Sequence, residues 1–310
     1  MPVGRPPTRR RERASASTRE TGVSGLLDLL RCPRCGRPDL REGEQLSCGA
    51  CGAGFASVDG FPVLLSPASG DDPVRARIAS YYDGAAEGYE LAHGIGHPGG
   101  AWSIANKYVP FLARHLRPGD SVLEIGSGTG RLTVDLLKLA GTVVASDVAP
   151  GMLRWAKRSN RLATGVVADA EALPFRDGVF DACVAMNALS YCVDKDAALR
   201  EAARVLRPGG KLLLIDMNYL LHFPYLLLGI REWRKSRLWT RQLLESTPWG
   251  WRHRLVRAGF RVAEAFEFNW VPHRFPGAAV GVMSLADRVL SRVPLVRRCA
   301  MRIGITAVKP

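Results

Sequence analysis

The sequence predicts an α/β fold, a doubly wound and mostly parallel sheet, with a small cysteine-built ribbon in front of it. Three observations carry this. Apolar segments alternate with amphipathic ones from Ser121 to about Met217, a glycine-spaced turn follows the first apolar segment, and two Cys-x-x-Cys pairs stand upstream.

The chain of 310 residues has room for one main domain and a small accessory one, and 47% hydrophobic content is that of a globular protein. Residues 1–24 are expected to form a disordered basic arm. Within the first twenty, six Arg stand against two acids, and no apolar core of a signal peptide is present.

Residues 25–67 hold Cys32-Pro33-Arg34-Cys35 and Cys48-Gly49-Ala50-Cys51, with twelve residues between the pairs. Four thiolates spaced this way suit a tetrahedral structural Zn²⁺, each pair on a tight turn that aims both sulfurs at one ion. Disulfides and a redox pair are the competing readings, and the absence of a secretory signal favours zinc in a reducing, cytoplasmic setting. Cys183, Cys192 and Cys299 are scattered and expected to be buried thiols.

A Pro/Gly/Asp linker around Ser66 to Pro73 leads to the main domain, expected over 75–310. Tyr81, Tyr82, Ala86 and Tyr89 recur at helical spacing. Val122 to Ile125 then reads as a strand, Gly126-Ser127-Gly128-Thr129-Gly130 as a tight loop and Arg131 to Leu139 as a helix. The next apolar run, Thr142 to Ser146, ends on Asp147. Glycines there let backbone N–H groups approach a ligand, and Asp147 can accept both ribose hydroxyls of an adenosine. The pattern predicts a nucleotide pocket.

The third glycine comes one residue earlier than in the dinucleotide-binding fingerprint, and an acid, Glu124, precedes the loop. In both respects the chain resembles the class I S-adenosylmethionine-dependent methyltransferases, whose sheet is Rossmann-like. The resemblance runs from Val122 to Lys211. Leu123 to Gly130 looks like their first motif, Asp147 with Met152 like the second, and Ala168-Asp169-Ala170 with Leu173-Pro174-Phe175 like the third. Phe180 to Asn187 looks like the fourth, and Arg204 to Lys211 is similar to the turn into their fifth strand.

The resemblance implies that Glu124 sits near the methionine amino group, Asp147 holds the ribose, Met152 packs on adenine and Asp169 bonds its amino group. Gly126, Ser127, Gly128, Thr129, Gly130, Ala170 and Asn187 complete the expected cofactor contacts. In similar methyltransferases a helix like the one carrying Tyr82 and Tyr89 covers the cofactor as a lid. The cysteine stretch with its flanks, Gly25 to Pro33 and Asp59 to Leu65, resembles the zinc-ribbon domain of methyltransferase activators.

The acceptor is harder to read. Tyr191, after the fourth strand, is expected to shape its pocket. His222 is the best-placed base, needed only if the acceptor must lose a proton. The apolar run Tyr219 to Ile230 is too short to span a bilayer, so no transmembrane segment is expected. It lies in an insertion over about 218–250 that could cap a lipophilic acceptor or rest on a membrane surface.

The formal charge of +14 concentrates at 231–310, where sixteen basic residues face five acids. Such a segment can meet RNA, an anionic membrane or an acidic substrate. The leading expectation is methyl transfer to a small, lipophilic biosynthetic acceptor. An RNA base methyltransferase and a non-enzymatic cofactor-binding or activator protein are the alternatives.

Overall fold

The computed structural model describes residues 23–67, 69, 72–162, 164–218 and 247–310. His222, the run Tyr219 to Ile230, most of the expected insertion over 218–250 and nearly all of the basic arm lie outside the described residues.

The N-terminal segment opens with a short helix, α1 (Val23–Leu27), and continues into a three-stranded antiparallel sheet of β1 (Leu40–Arg41), β2 (Leu46–Cys48) and β3 (Gly54–Phe55). A hairpin follows, β4 (Ser57–Val58) with β5 (Phe61–Pro62). The two cysteine turns share one geometry. In each, the glycine after the second cysteine donates 2.8 Å to the carbonyl of the first, Gly36 to Cys32 and Gly52 to Cys48. Both glycines sit at left-handed φ, +73° and +71°, which the turn requires and only glycine adopts cheaply.

Among the described residues the main sheet has seven strands, β6 (Ser121–Ile125), β7 (Thr142–Asp147), β8 (Gly165–Val167), β9 (Phe180–Met186), β10 (Leu206–Met217), β11 (Arg261–Phe268) and β12 (Arg302–Val308). Their order across the sheet is β8-β7-β6-β9-β10-β12-β11. The first five run parallel, and β12 is antiparallel to both β10 and β11. Near-continuous apolar runs such as Val122 to Ile125 form these strands because both faces are covered. Of the turn expected at Arg204 to Lys211, the residues from Leu206 on are instead absorbed into β10, whose pairing with β9 slips between Leu206 and Lys211.

Alternation along the strands divides the core in two. Leu123, Ile125, Cys183, Ala185, Leu212 and Leu214 point to one face, where Phe175, Phe180, Leu199 and Trp251 meet them. Val122, Val143, Ala182, Val184 and Leu213 point to the other, against Tyr108, Phe111, Leu132 and Leu136. Burying each large side chain contributes roughly 1.5–3 kcal/mol. Of the scattered thiols, Cys183 is buried, while Cys192 and Cys299 are only half-buried.

The covering helices are α2 (Pro73–Ala85), α3 (Tyr89–Ala92), α4 (Pro98–Ser103) and, after a π-helical turn at Ile104–Tyr108, α5 (Val109–Ala113). Between the strands come α6 (Thr133–Leu139), α7 (Pro150–Arg158), α8 (Lys195–Val205) and α9 (Pro248–Arg257). Their starts follow the capping rules. Asp72, Asp194 and Thr247 accept backbone N–H bonds at the N-caps of α2, α8 and α9. Past β11 lie α10 (Gly277–Leu290) and α11 (Pro294–Arg297).

The cysteine segment is stitched to the main domain on both sides of its ribbon. Before it, Leu30 pairs with Phe175, Arg31 N–H bonding Pro174 O at 2.9 Å and Arg176 N–H bonding Leu29 O at 2.8 Å. After it, Val63 pairs in parallel with Val167, and Leu64 N–H bonds Val167 O at 2.9 Å. Leu30 and Leu64 are fully buried in the main core.

Candidate functional site

The chain winds from β6 outward through β7 to β8, then returns to β9 on the other side of β6. That reversal opens a crevice at the carboxyl ends of β6 and β9, where ligands of such sheets bind. A cleft of about 1080 Å³, counting the space at its mouth, lies there.

Its floor is the glycine loop. A Cβ on Gly126 would lie 2.4 Å from the Cβ of Ala188, so the glycine lets the loop after β9 close against the loop after β6. At Gly128 a Cβ would meet nothing within 4 Å, which leaves an open cradle above the backbone. Ser127 and Thr129 complete the lining on this side.

Asp147, the last residue of β7, aims its carboxylate at this loop. Gly128 N–H donates to Oδ2 at 2.8 Å and Ala149 N–H to Oδ1 at 3.0 Å. Burial pushes its pKa up, against those backbone donors. Met152, on α7, is almost fully buried among Ala86, Ala149, Tyr82, Tyr89 and Trp155 and shows its edge to the cleft.

Asp169 and Ala170 line the cleft just past β8. Asp169 Oδ2 accepts from Ser69 Oγ at 2.7 Å and pairs with Arg75 Nε at 3.5 Å, and Oδ1 accepts from Glu171 N–H at 2.9 Å. Asn187, past β9, has a left-handed φ of 51°, and its buried Oδ1 has no partner among the described residues. Ser127 Oγ is likewise buried without a described partner.

Two sequence-nominated residues stand behind the lining. Gly130 packs its Cα toward Ala156 and Arg161. Glu124 is 2% exposed, beneath the loop, and accepts from Thr133 Oγ1 at 2.5 Å. Burial lifts its pKa to about 8, with the nearby Asp147 charge adding to the effect and the Thr133 bond opposing it.

Tyr191 lines the outer cleft, its ring edge-on to Tyr82 at 5.9 Å, and Tyr82 stands edge-on to Tyr89 at 5.9 Å. Ile78, Ile95, Met186 and Val193 extend this aromatic wall into an apolar one. Arg75, Ile95 and Met186 escaped the sequence reading. Arg75, Ile78 and Tyr82 fall at i, i+3 and i+7 on α2, a spacing that could have revealed Arg75.

Away from the cleft, Cys32, Cys35, Cys48 and Cys51 bring their four sulfurs within 4.8 Å of one another, able to hold a metal ion. The pairs Cys32–Cys51 and Cys35–Cys48 lie 3.7 Å apart. Metal–sulfur bonds of about 2.3 Å would set tetrahedral sulfurs about 3.8 Å apart, so the donor set fits zinc.

Residues 123–214, which build the floor and inner walls of the cleft, match the family described as the methyltransferase domain. Over that stretch the chain matches a methyltransferase domain. The domain is similar to the demethylmenaquinone methyltransferase of Mycobacterium marinum, 40% identical over 143 residues, covering 46% of this chain and 59% of the relative. The Mycobacterium tuberculosis protein of the same name is 38% identical over 143 residues, covering 46% and 58%. The chain thus spans about three-fifths of the length of these relatives. In three dimensions it is similar to a chain in the complex of a Haloferax volcanii methyltransferase activator with a methyltransferase. That likeness has a TM-score of 0.51 at 22% identity, covers 74% of this chain and 97% of the other, and bears on the fold alone.

Proposed function

We propose that the methyltransferase domain binds S-adenosylmethionine and transfers its methyl group to a small lipophilic acceptor. One observation carries this reading. A single cleft joins a polar half, made by the glycine loop, Asp147, Asp169 and Asn187, to an apolar aromatic half made by Tyr82, Tyr89, Ile95, Met186 and Tyr191. The relatives named for demethylmenaquinone support an acceptor of that apolar, ring-bearing kind.

The residues fit the cofactor. Asp147 would take the ribose hydroxyls, Met152 the adenine face, and Asp169 with Ala170 the adenine edge. The unpartnered Ser127 Oγ and Asn187 Oδ1 are buried polar atoms awaiting a ligand's donors and acceptors. Glu124, under the loop, would face the amino group. Bound there, the sulfonium supplies an electrophilic methyl carbon, and the protein's task is to align an acceptor with it and exclude water. The tyrosine wall does both. Tyr191 would hold the acceptor ring, and His222 remains the proposed base for an acceptor that must lose a proton. The four cysteines would bind a structural Zn²⁺, leaving it no open position for chemistry.

Calorimetric titration of S-adenosylmethionine and S-adenosylhomocysteine tests the pocket. Transfer of labelled methyl groups to reduced quinones, with RNA in parallel, tests the acceptor. Binding without transfer to any acceptor would leave a cofactor-binding protein, and labelling of RNA alone would overturn the lipophilic reading.

A further inference from the structure

Helix α10 carries an apolar stripe on its outer side. Val282, Leu285 and Val289, at i, i+3 and i+7, are 72%, 63% and 56% exposed, and Leu295 beyond them is 75% exposed. A surface helix ordinarily turns such a stripe to the core. The inward face, with Val280, Met283 and Leu290 half-buried on it, carries a charge as well. Asp287, fully buried, accepts from Trp270 N–H at 2.9 Å and pairs with Lys107. The helix is therefore fixed to the body by a buried ion pair while that stripe faces solvent.

The surroundings of the stripe decide what it meets. Arg288, Arg292, Arg297 and Arg298 are all exposed, and Asp287 is the sole acid between Gly277 and Arg298. We propose that α10 and α11 form an interfacial surface that docks the protein on an anionic lipid membrane, with Val282, Leu285, Val289 and Leu295 entering the headgroup boundary and the four arginines meeting lipid phosphates. A second copy is a poor occupant, because a two-fold contact through this face would set the arginines of one copy against those of the other. RNA would engage the arginines and leave the apolar stripe wet.

Position adds to the case. β11 runs parallel to β10, so α10 follows its carboxyl end and lies at the same end of the molecule as the cleft. Gly100 N–H bonds His273 O at 3.0 Å, tying the approach to α10 to the segment that brings Ile95 to the cleft wall.

The test is co-sedimentation of the full chain with vesicles of phosphatidylcholine alone and of phosphatidylcholine mixed with phosphatidylglycerol. The wild type is expected to bind the mixed vesicles, weakly or not at all the neutral ones, with binding that falls as salt rises. Leu285→Asp with Val289→Asp, and separately Arg288→Glu with Arg292→Glu, should each lower vesicle affinity at least about tenfold while melting temperature and cofactor affinity stay at wild-type values. All four positions are exposed, so folding is not at stake.

Failure of the wild type to bind anionic vesicles would overturn the proposal. So would loss of binding in the arginine variant alone, which would mark a general polyanion surface. Self-association in lipid-free sedimentation, abolished by the aspartate pair, would assign the face to a second copy. None of these readouts depends on turnover, so the outcome is independent of the acceptor proposed above.

Discussion

The hydroxyl of Ser69 donates a 2.7 Å hydrogen bond to Asp169 Oδ2, joining residues 100 apart in sequence. With the backbone bonds of Arg31 to Pro174, Arg176 to Leu29 and Leu64 to Val167, it lets the cysteine segment and the linker after it bracket the loop carrying Asp169 and Ala170. Ser69→Ala should remove about 1 kcal/mol of support from that carboxylate, read as a roughly fivefold loss of cofactor affinity with little change in melting temperature. Calorimetry of wild type and variant checks it.

Metal removal acts on the same bracket more broadly. Protein stripped with a chelator is expected to melt at lower temperature and to bind cofactor at least about tenfold more weakly, with zinc restoring both. Metal analysis of protein purified without chelator should find one zinc per chain.

Glycine substitutions should separate folding from binding. Gly126→Ala drives a Cβ to 2.4 Å from Ala188 at a φ of +69°, so it should cost on the order of 2–3 kcal/mol of stability. Gly128→Ala meets open space and incurs only the left-handed backbone cost, about 1 kcal/mol, yet its methyl enters the cradle. Thermal melts should single out the first variant and titrations the second.

Glu124 gives the cofactor-free protein a pH dependence with a definite sign. Its folded pKa of about 8 lies above the value near 4.3 of an unfolded glutamate, so between those limits the folded state holds the extra proton. Stability should therefore fall as pH rises through that window and level off above it. Asp216, fully buried and pushed up to about 6 by desolvation, adds a slope of the same sign over the lower part. Denaturant titrations at pH 5 and pH 8 should show the decline, and Glu124→Gln should flatten it.

Asp147→Asn keeps the shape of the carboxylate and loses its charge. Cofactor affinity should drop at least about a hundredfold, since two charge-assisted bonds to the ribose would go. Asp147→Asn also leaves one of the Gly128 and Ala149 N–H groups facing the amide nitrogen, and Asp147→Ala, which accepts from neither, should destabilise the fold further, by about 1–3 kcal/mol. Titration and melting of both variants distinguish the two effects.

Much of this was legible in the sequence because it is local. The strand, glycine loop and helix from Val122 to Leu139, the acid ending β7 and the paired cysteine turns each reside within a few residues, where periodicity and turn chemistry act directly. What stayed hidden depends on chain reversal. No spacing links Tyr82 to Tyr191, Arg75 to Asp169 or Leu30 to Phe175, and the outward stripe of α10 reads in sequence like any amphipathic helix. Glu124 shows the limit from the other side. Its position beside the glycine loop was plain, but its burial beneath that loop follows from packing against Thr133.

The antiparallel strand β12 sits between β10 and β11, paired along both edges, though it is the last strand in chain order. During synthesis β11 therefore leaves the ribosome with no neighbour to accept it, and β10 waits with a bare edge beside the nascent crevice. The sheet closes only when Arg302 to Val308 slide in between, so a ribosome that stalls before Arg302 holds a chain whose half-made sheet is open to intruding strands.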